Sequence, residues 1–143
     1  MADRPGPIVL VAHSLGCVTV AHWAAARTRT VHAALLVAPA DIETAEVPEL
    51  VTFRPIPLRP LPFPSLLVSS SDDPWCSADR ARRFADGWDS AFVDLGAYGH
   101  INSDSGLGAW PQGRELLTRL LTDAAPGPGA GPDAGPDAGS VAG

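Results

Sequence analysis

The three residue types that together make a serine hydroxyl nucleophilic occur in this 143-residue chain in a usable order: Ser14, then an aspartate pair Asp72-Asp73, then His100. A free serine hydroxyl attacks carbonyls poorly. It needs a neutral imidazole to take its proton, and a buried carboxylate to hold that imidazole in the right tautomer. The setting of Ser14 strengthens the case. The apolar run Ile8-Val9-Leu10-Val11-Ala12 leads straight into His13-Ser14-Leu15-Gly16, and a helix-like segment starting Val18-Thr19-Val20-Ala21-His22-Trp23-Ala24 follows. A buried strand turning sharply into a helix with serine at the apex is the pattern of a nucleophile elbow, usually written G-x-S-x-G. The residues two before and two after the serine must be small so that strand and helix can approach. Here they are Ala12 and Gly16, so alanine stands in for the first glycine. The same turn aims the backbone N–H of Leu15 at the oxyanion that develops on an attacked carbonyl.

The elements that must position these groups alternate regularly. Strands are expected at 8–12, 33–38, 65–70 and 91–95, with helices over 15–27, 78–88 and 112–122. In the second helix Ala78, Ala81, Arg82, Phe84, Ala85 and Trp88 share helical spacing, and leucines 116, 117, 120 and 121 make the last one amphipathic. Continuous apolar strands alternating with helices predict an α/β three-layer sandwich with a mostly parallel sheet. The acid follows the 65–70 strand and the base follows the 91–95 strand, so Ser…Asp…His is the chain order of α/β hydrolases. Residues 41–64 break the rhythm, with prolines at 48, 55, 57, 60, 62 and 64. That density excludes a regular helix, so an extended segment over or beside the site's rim is expected there. From Ala124 onward Ala, Gly, Pro and Asp dominate, with Gly-Pro-Asp-Ala at 131–134 and again at 135–138. Such a composition buries too little apolar area to offset chain entropy. The expected division is a hydrolase domain at 1–123 and a disordered tail at 124–143.

The tracts Val11-Ala12-His13-Ser14-Leu15-Gly16-Cys17, Pro62-Phe63-Pro64-Ser65-Leu66-Leu67-Val68, Ser71-Asp72-Asp73-Pro74 and Gly99-His100-Ile101-Asn102 resemble a family of small α/β hydrolases. These are the compact bacterial serine hydrolases related to the retinoblastoma-binding-protein-type serine hydrolase of animals, and the resemblance covers about residues 7–122. It implies metal-free, cofactor-free hydrolysis of small ester or amide substrates. It also implies the nucleophile at Ser14, the base at His100 and the acid at Asp73, the second aspartate of the Asp-Asp-Pro turn. Local chemistry alone hardly separates Asp72 from Asp73.

In one respect the chain departs from that fold. A βαβ unit takes about 30 residues, so two units ahead of the elbow would put the serine nearer position 70. The fold is therefore expected to be N-terminally truncated, without the strand beside residues 8–12 and the loop that donates a second oxyanion-hole N–H. Losing one such donor costs on the order of 10²–10³ in turnover. The alternative to an active carboxylesterase-like enzyme is thus a weak or inactive fragment, or a binding module, that keeps the triad residues. An uncovered strand at 8–12 would also favour self-association through its open edge.

Composition narrows the partners. Net charge is −6 with pI near 4.9, and all ten basic residues are arginines scattered along the chain. An acidic chain without a basic patch argues against nucleic acid and anionic membranes. No apolar run approaches the ~18 residues of a membrane span, and residues 8–12 are too short for a signal-peptide core. A cytoplasmic address and a small-molecule ester or amide substrate are expected. Cys17 and Cys76 form no metal motif and are expected as free thiols. His13 is expected to pack beside the strand, and His22 and His32 to be structural or surface residues; a plain helix cap is the lesser alternative for Ser14, given the ordered Asp and His. Trp75 and Trp110 either line a substrate pocket or simply pack.

Overall fold

Short Val-, Leu- and Ala-rich runs form four parallel strands whose order in the sheet is their order in the chain. Residues 6–26 and 30–124 are described by a computed structural model. Its elements are β1 (Val9–His13), α1 (Leu15–Ala26), β2 (Ala33–Val37), β3 (Ser65–Ser69), α2 (Ala78–Trp88), β4 (Ala91–Asp94) and α3 (Pro111–Ala124). Short 3-10 turns lie at Pro48–Phe53 and Ser103–Ser105. The register aligns His13, Val37, Val68 and Val93 in one row, so the loops after all four strands leave from the same end of the sheet. Ligands of open parallel sheets bind at that end.

Every residue of β2 and β3 is buried, as expected of inner parallel strands covered on both faces. On one face Ala34, Leu36 and Leu67 pack with Cys17, Val18 and Ala21 of α1 and with Ala81, Phe84, Ala85 and Trp88 of α2. On the other, Ala33, Leu35, Val37, Leu66 and Val68 pack against Ile101 and against Leu116 and Leu120 of α3. β1 is at one edge of the sheet, and its Val11 is 62% exposed. The sequence reading of α2 needs one correction. Arg82 shares the helical spacing but faces out, its guanidinium 4.4 Å from the centre of the Phe92 ring. The tail was drawn from 124, yet Ala124 is the last residue of α3, and 125–143 lie outside the described residues.

The proline-rich segment takes the place of a crossover helix. It is not wholly extended, because Pro48 opens a 3-10 turn, where a missing N–H costs nothing. Its Ile56, Leu61 and Phe63 enter the same core as α1 and α2, and the Trp88 indole N–H donates to the Pro57 carbonyl at 2.7 Å. The start of the segment lies beside the acid loop, where the Asp41 N–H donates to the Trp75 carbonyl at 2.8 Å. There the buried carboxylate of Asp41 receives a two-point contact from Arg80 of α2, at 2.8 and 3.1 Å. Removing one member of such a pair strands a buried charge. Arg80→Ala is therefore expected to destabilise the fold by about 3 kcal/mol, read as a lower urea midpoint. At the start of α3 a Cβ on Gly113 would lie 2.1–2.5 Å from Trp110 ring atoms. Gly113→Ala must displace that ring, and overpacking of this kind costs about 1–3 kcal/mol. A lowered melting temperature checks it.

Candidate active site

Ser14 sits between β1 and α1. Its N–H continues the ladder to the Val37 carbonyl at 3.0 Å, and its φ of 59° is left-handed. A non-glycine residue there is strained, and such strain persists only where neighbours over-determine the backbone. Gly16 shows why the flanking residues are small. A Cβ on it would meet the Ala12 Cβ at 3.5 Å, an ordinary contact, so strand and helix approach each other directly at these two positions. Leu15 is the first residue of α1, and among the described residues no backbone or side-chain acceptor takes its N–H.

Asp73 and His100 come to Ser14 from the loops after β3 and β4. The Nδ1 of His100 lies 2.9 and 3.0 Å from the two carboxylate oxygens of Asp73, and its Nε2 lies 2.8 Å from Ser14 Oγ. A carboxylate only accepts, so Nδ1 carries the proton and Nε2 presents its lone pair to the serine hydroxyl. Asp73 is buried, and its Oδ1 also accepts from the Trp75 N–H at 2.9 Å. Asp72 points elsewhere. Its Oδ1 accepts from the Gly99 N–H at 2.7 Å and from the Ser70 hydroxyl at 2.9 Å, and Ser70 Oγ in turn accepts from the Tyr98 N–H at 2.8 Å. The Gly99 N–H, with the Ser70 hydroxyl behind it, holds the Asp72 carboxyl below the usual carboxylate range. The adjacent aspartates thus meet different parts of the same loop.

The remaining singled-out residues separate clearly. His13 does not simply pack beside the strand, because its Nε2 lies 2.9 Å from the His100 carbonyl oxygen and the two rings are 4.8 Å apart. His22 bonds the Phe53 carbonyl at 2.7 Å. The half-exposed Trp75 ring lies 6.3 Å from that of His100. Trp110 does both: it packs against the core under α3 and, with Ile101, Asn102, Ser103, Leu107 and Gly108, lines a cavity of about 380 Å³. Cys17 and Cys76 are unpaired and buried. Burial pushes both thiols up, Cys76 to about 12 with the Asp41 and Asp73 charges adding to it, so neither is a thiolate at neutral pH. Among the described residues no three His, Cys, Asp or Glu side chains group as metal ligands. Nor is any described helix long and apolar enough to cross a membrane. Sequence reasoning missed Ser70 and Asp41. Their partners lie 28 and 39 residues away, and no local spacing signals such contacts.

A family model described as serine hydrolase matches residues 1–119. The chain belongs to the serine hydrolase family. A YdeN-like protein of Pectobacterium atrosepticum has a similar solved structure, with 32% identity, a TM-score of 0.76, and coverage of 87% of this chain and 65% of that one. The ydeN product of Bacillus subtilis matches at 21% identity and TM-score 0.62, covering 80% and 65% of the two chains. The esterase domain of a Rhodothermus marinus protein matches at 19% and 0.63, covering 85% and 63%. The last two show the fold alone. This serine hydrolase chain therefore spans about 65% of the length of the YdeN-type structures it matches. No curated protein matches it. The fold expectation, an α/β hydrolase with a parallel sheet, holds.

Proposed function

We propose that this member of the family hydrolyses small ester or amide bonds through Ser14, His100 and Asp73, by way of an acyl-enzyme. One observation carries the reading: the unbroken hydrogen-bonded line from Asp73 through both nitrogens of His100 to Ser14 Oγ. In the first half-reaction His100 Nε2 takes the hydroxyl proton while Oγ bonds to the substrate carbonyl carbon. The negative charge moves to the carbonyl oxygen, where the Leu15 N–H donates to it from the nucleophile elbow. Asp73 stabilises the imidazolium, which then gives its proton to the departing alcohol or amine. Water repeats the sequence on the acyl-serine and releases the acid. The hydrolase domain would run to Ala124, the end of α3. Two buried, unpaired thiols fit a reducing, cytoplasmic setting.

The test is covalent. A fluorophosphonate probe should label the chain at Ser14 alone, shown by mapping the modified peptide. An adduct on another residue, or full labelling of Ser14→Ala, would overturn the assignment. A binding module that keeps these residues without activating the serine would take no label.

A further inference from the structure

We propose that His13 and the Ser70–Asp72 pair are positioning residues that grip the backbone around the base from both sides; the inference rests on His100 being that base. His100 is carried on a loop that would not hold its shape unaided. Gly99 before it has φ 59° and Ile101 after it has φ 50°. The first is easy for glycine, but a β-branched residue in the left-handed region is a genuine outlier that its surroundings must enforce. Burial of the Ile101 side chain against the α3 core supplies part of that enforcement. The polar contacts supply the rest. On the N-terminal side two consecutive N–H groups are taken, Tyr98 by Ser70 Oγ at 2.8 Å and Gly99 by Asp72 Oδ1 at 2.7 Å. The Ser70 hydroxyl donates to Asp72 at 2.9 Å, which joins the two acceptors into one unit at the end of β3. On the C-terminal side the His100 carbonyl receives the His13 ring at 2.9 Å. A carbonyl only accepts, so His13 must present Nε2–H. Because His13 shares a row with Val37, Val68 and Val93, its side chain leaves β1 on the α3 face, where the base loop arrives.

The geometry gives each residue of the Ser14 and Asp73 motifs a neighbour with a second duty. The residue before the nucleophile holds the base's carbonyl, and the residue before the acid holds the N–H ahead of the base. One imidazole is thereby referenced to both strands whose side chains it must bridge. A displacement of about 1 Å in such a group can cost on the order of 10²-fold in rate.

The experiment reads His100 directly and by rate. In the chain labelled with ¹⁵N-histidine, four histidines are observed, and His100 is assigned by its loss in His100→Ala. The wild type should show His100 as the Nδ1–H tautomer. His13→Leu and Asp72→Ala should each turn that signal into a tautomer mixture and lower kcat on p-nitrophenyl acetate about 10- to 100-fold, with KM changed less than threefold. His13→Gln and Asp72→Asn, which keep a donor and an acceptor respectively, should recover most of both readouts. Circular dichroism and thermal melting establish that each variant is folded, and the Gln and Asn variants carry the test should the others not fold. An unchanged His100 tautomer in folded His13→Leu and Asp72→Ala overturns the proposal. So does a loss in the Gln and Asn variants as deep as in Leu and Ala. A wild-type His100 that is not the Nδ1–H tautomer would instead count against the catalytic reading itself.

Discussion

Ser14→Ala is expected to lower ester turnover by a factor on the order of 10⁶, to the background rate, with the fold intact. The size follows from the chemistry: in a serine hydrolase whose triad acts as a unit, losing the nucleophile costs about as much as losing all three members. The structural cost should be small, because the hydroxyl's partner is His100 Nε2, which lies in a partly open site. The Ser14 backbone bond to Val37 is untouched by the change. Alanine is no worse than serine at φ 59°, since both carry a Cβ. Measurement of p-nitrophenyl acetate hydrolysis beside a thermal melt checks both halves. Residual turnover above about a hundredth of wild type, in a folded and homogeneous variant, would place the nucleophile elsewhere.

Asp73→Asn should be the second most damaging change, with turnover falling on the order of 10⁴, as for the buried acid of other triads. The amide can offer its NH₂ to His100 Nδ1 and so favours the wrong tautomer, turning the lone pair of Nε2 into an N–H that faces Ser14. Asp72→Asn should cost far less. Its oxygen can still accept from the Gly99 N–H and the Ser70 hydroxyl, and it has no contact with the imidazole. The low-lying Asp72 carboxyl also sets a sign for pH. The stability it contributes is present above its ordinary titration range and is lost only as pH falls through its depressed one, so its grip on Gly99 holds at neutral pH. Comparable losses in Asp72→Asn and Asp73→Asn, with both proteins folded, would show the two roles wrongly divided.

The elements of this fold were readable because their signals are local. Apolar runs bounded by Gly, Pro, Asp and His predict β1 to β4 within a residue or two, helical spacing does the same for α2 and α3, and α1 follows from the strand-to-helix turn at Ser14. Parallel pairing fits the long connections, because a parallel pair needs a crossover of about a dozen residues or more and no two successive strands here are joined by less. Residues 41–64 were harder. Proline excludes a helix at that density, but only the packed structure has Ile56, Leu61 and Phe63 filling the core where a crossover helix would sit.

For the site, the residue types and their order were legible, and their neighbours' duties were not. Ser14 is marked by a strand-to-helix turn that needs small residues two positions away on either side. His100 and the aspartate pair are marked by their place after strands. Those are constraints within a few residues, and a sequence carries them in full. Which aspartate meets the imidazole, and what His13, Ser70 and Asp41 hold, depend on where loops 27 to 87 residues apart in the chain come to rest. Neighbouring side chains on a turn have the same composition and nearly the same address, and differ only in direction. That direction comes from the parallel register, which delivers all four loops to one end of the sheet, and from left-handed residues such as Ser14, Ala38, Gly99 and Ile101 that bend the loops after β1, β2 and β4.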